Sequence, residues 1–144
     1  MNLFGMLEVS GSALAAERFR AEVVSANMAN SETTRTPQGG AYRRQLVVFR
    51  GRPVPRFSLL MARLTHSPQP GVQVDRVLTD MTPMPRRYEP GHPDADPSGY
   101  VTYPNVNPVM EMTDLLSAVR AYQLNASAVQ AAKNMIQQSL QILS

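Results

Sequence analysis

From Leu115 to Leu143 the chain repeats a 4-3-4-3 spacing through Leu115, Val119, Tyr122, Ala126, Val129, Lys133, Ile136, Leu140 and Leu143, with Lys133 alone out of character. That spacing is the seam of a coiled coil. Arg120 and Lys133 are the only charged side chains in the stretch, and its other face is Ser, Gln, Asn and Ala. A helix on the surface of a monomer carries a charged outer face. This one is patterned to be surrounded by other helices, which points to assembly.

The rest of the chain must then fit around a long helix. At 144 residues it has the length of one domain. With 43% apolar and 17% charged residues it is too apolar to be disordered, and its charged share is below the usual quarter. Without Cys there is no disulfide, thiolate metal site or cysteine nucleophile. The start, MNLFGMLEVSGSALAAERF, has no basic n-region, and Glu8, Ser10 and Ser12 break any signal-peptide h-region. No run reaches the roughly 18 apolar residues needed to span a bilayer. The expectation is a chain that spans no membrane and leaves the cytoplasm, if it does, without a cleaved leader.

Charge is uneven. Ten Arg lie between Arg35 and Arg87 with only Asp75 and Asp80 among them, whereas every charged residue from Glu89 to Asp114 is acidic. A basic middle suggests, as an alternative function, a nucleic-acid-binding module using residues 35–87. Against it, the Arg are scattered over expected strands, with no aromatic RNA-binding motif, helix-turn-helix or zinc finger. A solvated Arg face, or charge matching between neighbouring subunits, is the preferred reading of them.

Residues Leu3 to about Asn30 predict a first helix, with Leu7, Leu14, Ala21, Val24 and Met28 at heptad-compatible places and Val9, Ala13, Ala16 and Val23 in a second line beside them. Pro37 and Gly39-Gly40 end it in a loop. Tyr42–Phe49, Phe57–Leu64 and Gly71–Leu78 are the strand candidates. Prolines 83, 85, 90, 93, 97, 104 and 108 make residues 81–107 an extended arm with tight turns rather than a helix or central strand. Asn107 then serves as N-cap and Pro108 as first residue of the last helix, with Glu111 and Asp114 complementing its dipole. The fold class is α+β: long N- and C-terminal helices in a coiled-coil-like pair, a small β-rich middle module and the Pro-rich arm. By domains, residues 1–32 and 108–144 form the helical assembly part, 33–80 the β module and 81–107 the arm.

No constellation supports catalysis, so the chain is expected not to be an enzyme and to need no cofactor or small-molecule substrate. His66 and His92 lack a His at i+3 or i+4. Asp94 and Asp96 start like a calcium loop, but no closing Glu follows and a turn is the simpler reading. Gly39-Gly40 lacks the Lys-Ser/Thr of a phosphate loop, and Ser10-Gly11-Ser12 is not on a nucleophile elbow.

Two segments carry a resemblance. Ser10-Gly11-Ser12-Ala13-Leu14-Ala15-Ala16-Glu17-Arg18, running into Ser25-Ala26-Asn27-Met28-Ala29-Asn30-Ser31, is similar to the helix ending in Asn-x-Ala-Asn of the bacterial flagellar rod and hook family. Tyr88-Glu89-Pro90-Gly91-His92-Pro93-Asp94-Ala95-Asp96-Pro97-Ser98-Gly99-Tyr100-Val101, with Pro104-Asn105-Val106, resembles the signature of its proximal-rod component, as do Glu111-Met112 and Ala121-Tyr122-Gln123-Leu124-Asn125 in the last helix. The resemblance implies a structural subunit of the basal-body rod in the periplasm, exported by the flagellar type III apparatus. Its partners would be other rod proteins, further copies of itself, and ring and export-gate components, with no nucleic acid. It implies assembly contacts through the two seams. It also implies a motif role for Asn27 and Asn30 as end or cap residues of the first helix, and for Tyr88, Pro90, Gly91, Asp96, Gly99, Tyr100, Pro104 and Asn105 in a segment that packs across the helices.

Overall fold

The computed structural model describes residues 3–52 and 71–143. Two helices bracket the chain: α1 (Leu3–Ala29) and α2 (Pro108–Leu143). Between them lie β1 (Gln45–Gly51), β2 (Val72–Thr79), β3 (Arg86–Tyr88) and β4 (Tyr100–Thr102). The α+β class, with small antiparallel β content between terminal helices, is as expected. The candidate strand Phe57–Leu64 lies outside the described residues.

The helix ends follow local chemistry. At the end of α1, Asn30 donates from Nδ2 to the Ala26 carbonyl at 2.9 Å, and Ser31 Oγ donates to the Met28 carbonyl at 2.8 Å. Two of the carbonyls that a helix C-terminus leaves open are satisfied in this way. Asn107 Oδ1 accepts from the N–H groups of Val109 and Met110 at 3.0 and 3.4 Å, so the expected N-cap is in place ahead of Pro108.

β1 and β2 form one two-stranded sheet, β3 and β4 another. The first is antiparallel: Asp80 N–H donates to the Arg44 carbonyl beyond one end and Arg52 N–H to the Gly71 carbonyl at the other. Residues 81–107, read as an extended arm, contain the second sheet, with Arg86 opposite Thr102, Arg87 opposite Val101 and Tyr88 opposite Tyr100. Strands form among the prolines because each is three residues long and fits in a gap, β3 between Pro85 and Pro90 and β4 between Pro97 and Pro104. Pro85, which has no N–H, contributes its carbonyl to Tyr103 at 2.9 Å.

Contacts gather the chain into two units. The first draws on Met1–Phe19, Val48–Arg76 and Ser117–Ser144. In it, Ser12 on α1 donates from Oγ to the Val9 carbonyl (2.7 Å) and accepts the Val72 N–H (3.0 Å), which fixes the start of β2 against the helix. A Cβ at the buried Gly71 would stand 2.5 Å from Ser12 Oγ, so only glycine allows that approach. Arg50–Asp75 and Arg52–Glu8 ion pairs lie in the same unit at 3.3 and 3.7 Å. The second unit, Arg20–Val47 with Val77–Leu116, holds the candidate site.

Candidate functional site

Asn27 lies in the last turns of α1, where sequence reasoning expected a capping or left-handed role. It stays helical instead, and only 1% of its surface is exposed. Its side-chain amide takes four partners. Nδ2 donates to the Gln45 carbonyl at 2.8 Å and to Glu111 Oε2 at 3.0 Å; Oδ1 accepts the Gln45 N–H and the Tyr42 hydroxyl, both at 2.9 Å. Two donor hydrogens and two lone pairs are thereby all used. Toward Gln45 the amide acts as a missing strand would, meeting the N–H and C=O of the same residue at the start of β1.

Glu111, one turn into α2, is likewise 1% exposed. Arg44 donates to it from Nε at 2.6 Å and reaches Asp114 with its second guanidinium nitrogen at 3.5 Å. Burying a carboxylate is costly unless it is paired and hydrogen-bonded. Glu111 has both a guanidinium and an amide. Burial, reinforced by the negative charge of Glu111, raises the pKa of Tyr42, so its hydroxyl stays protonated and donates to Asn27. The hub thus ties α1, β1 and α2 at one point. No buried side-chain nitrogen or oxygen is left without a partner among the described residues.

Sequence reasoning named Asn27 but missed Tyr42, Arg44 and Gln45, and read Glu111 only as a dipole complement. The available signal was a glutamate in line with the alanines of α2: Glu111, Ala118 and Ala132 are its most buried residues, at multiples of seven. The expected seam of α2 is only partly covered. Leu115, Ala126, Val129 and Ile136 are half-buried, whereas Val119, Tyr122, Lys133 and Leu140 are exposed; for Leu143 only helical backbone is described. On α1, Val24 is buried and Leu7, Leu14, Ala21 and Met28 are half-buried. Outside the seam, α2 also exposes Val109, Met110, Met112, Leu116 and Leu124. Single exposed apolar residues are ordinary, but α2 carries a long series of them.

The signature segment forms an exposed ribbon. Turns close over Pro90-Gly91 and Pro97-Ser98, through His92 N–H to the Glu89 carbonyl and Gly99 N–H to the Asp96 carbonyl. Asp96 Oδ1 accepts the N–H groups of Ser98 and Tyr100, each at 3.0 Å, and its other oxygen pairs with Arg86. The Tyr100 N–H chiefly, with the Ser98 N–H and Arg86, holds the Asp96 carboxyl below its ordinary pKa. Gly99 adopts φ +78°, and a Cβ there would stand 2.8 Å from the Tyr88 ring. Tyr88 and Tyr100 meet edge to face at 5.3 Å, and Arg86 lies over Tyr100. Pro104 is buried, and Asn105 Nδ2 donates to Thr82 Oγ1 at 2.7 Å.

Three arginines of the basic middle meet the acidic flank inside the second unit. Arg35 pairs with Asp94 at 3.6 Å, Arg44 with Glu111 and Asp114, and Arg86 with Asp96. Nothing in these pairs or in the rest of the described residues supports the nucleic-acid alternative. No helix among the described residues is long and apolar enough to cross a membrane. No group of side chains among them could hold a metal ion.

Residues 7–35 match the family described as Flagella basal body rod protein, and residues 98–142 match Flagellar basal body rod FlgEFG protein C-terminal. Curated relatives extend the likeness over the whole chain. The flagellar basal-body rod protein FlgC of Borreliella burgdorferi is 40% identical, and that of Bacillus subtilis 39%, each alignment covering 99% of both chains. FlgC of Salmonella typhimurium is 36% identical over 97% of both.

Proposed function

This chain belongs to the flagellar basal-body rod protein FlgC family and is a structural subunit of the basal-body rod; from that premise we propose that it is a proximal-rod subunit whose terminal helices build the shaft. In this reading α1 and α2 pair in coiled-coil fashion, and their seams pack against further copies and other rod proteins in a tubular helical array in the periplasm. Ring and export-gate components surround it, and the chain reaches its place through the type III apparatus. The observation that carries the reading is the exposed apolar series along α2 on a helix whose start is fastened by the Asn27–Glu111–Arg44 hub. At about 25 cal/mol per Å2 of apolar area, neighbours that cover this surface gain several kcal/mol.

The reading is tested at the half-buried seam residues Val129 and Ile136. Val129→Asp or Ile136→Asp should abolish rods in electron micrographs of isolated basal bodies while circular dichroism of the purified chain stays helical. Normal rods with either variant overturn the proposed seam.

A further inference from the structure

Beside the hub lies a cavity of about 170 Å3, half open to solvent. Its apolar walls come from Val23 and Val24 on α1 and from Leu46 and Val47 on β1. Arg20, Arg44, Glu111 and Asp114 also line it, two positive and two negative, so their formal charges cancel. The volume is close to the roughly 150 Å3 void that a large apolar side chain leaves in a core. A recess of that size, apolar on the Val23, Val24, Leu46 and Val47 side and rimmed by Asn27, Gln45 and charges that cancel, suits a single uncharged side chain.

A fitting one is exposed on the same chain. Leu116, Arg120 and Leu124 follow one another at intervals of four on α2, a row separate from the expected seam, and all three are exposed. Leu124 is 73% exposed, equalled on α2 only by Val109 among the exposed large apolar side chains. Arg120, one turn or about 6 Å before it, forms no ion pair among the described residues. At the cavity, Asp114 is the complement: its side chain is 50% exposed, and Arg44 holds it only at 3.5 Å.

We propose that the cavity walled by Val23, Val24, Leu46 and Val47 is a socket for Leu124 of a second copy of this chain, with Arg120 of that copy pairing with Asp114. Knob and socket are different surfaces of one chain, so the contact is head-to-tail and propagates as an open array. The inference rests on the rod-subunit reading and deepens it by naming an interface.

The chain has no Cys, so an introduced thiol is unique. Basal bodies from cells co-expressing Leu46→Cys and Leu124→Cys chains are treated with a short bismaleimide linker. The expected result is a mixed dimer several-fold above that in preparations carrying either variant alone. Both chains present in basal bodies without a mixed dimer, or the Leu124→Cys chain linked to a different protein, overturns the socket and leaves the rod reading standing. Absence of the chain from basal bodies when it is made with its natural sequence overturns both. Charge reversal gives an independent measurement: Arg120→Glu should cut the number of rods several-fold and Arg120→Lys should keep them; no loss with Arg120→Glu overturns the proposal.

Discussion

The hub and the β3–β4 ribbon are built from the same parts. Each has an arginine on a carboxylate, a tyrosine, and a side-chain oxygen that accepts backbone N–H, one in the hub and two in the ribbon. In the hub Glu111 is almost wholly covered, whereas Arg86 and Asp96 both face solvent. Water decides how much the shared chemistry contributes. A buried carboxylate stripped of its partners is strongly destabilising, whereas an exposed ion pair competes with solvent and salt. The hub therefore holds elements together, and the ribbon is held in shape mainly by its turns.

The contrast is sharpest for Glu111→Ala, which leaves the Arg44 guanidinium half-buried beside Asn27. Removing one partner of a buried pair costs about 3–5 kcal/mol, and the thermal midpoint of the chain should fall by on the order of 10 °C. A fall no larger than that of an exposed substitution would mean that the hub contributes nothing special. Gly99→Ala acts on the ribbon through the backbone. A side chain at φ +78° costs about 1–2 kcal/mol, and the Tyr88 ring must also move away from the new Cβ. Denaturant unfolding and the Tyr88 to Tyr100 contact in NMR spectra should report both changes, and an unchanged contact would show that the turn tolerates the residue.

The smallest effect is acid. Asp96 has a lowered pKa in the folded chain, so its contribution is complete above the ordinary carboxylate value of about 3.9 and disappears as pH falls through the lower folded value. The Tyr100 amide resonance should follow that titration with α1 and α2 still helical. Loss of helix in the same step would place Asp96 in the framework and erase the distinction drawn between ribbon and hub.

Periodic and capped elements were readable from residues alone: both helices, the Asn107 cap and β2. The hub was not. Its partners lie 18 and 84 residues from Asn27, and the one mark of Glu111 as an inward residue, its heptad alignment with Ala118 and Ala132, is masked because a glutamate in the first turns of a helix also suits the dipole. β3 and β4 were hidden for a different reason. Strands of three residues are too short for alternation to register, and prolines that forbid a central strand do not forbid a ribbon fitted between them. Charge counting misled by treating the basic middle and its acidic flank as separate surfaces, when Arg35, Arg44 and Arg86 join them.

The strand-like pairing of Asn27 with Gln45 orders events along the chain. Both Gln45 bonds and the Tyr42 bond are available once the first 45 residues exist, whereas the fourth partner of the amide arrives only with Glu111. Arrival of the first turn of α2 is thus registered by a single bond at the far end of α1.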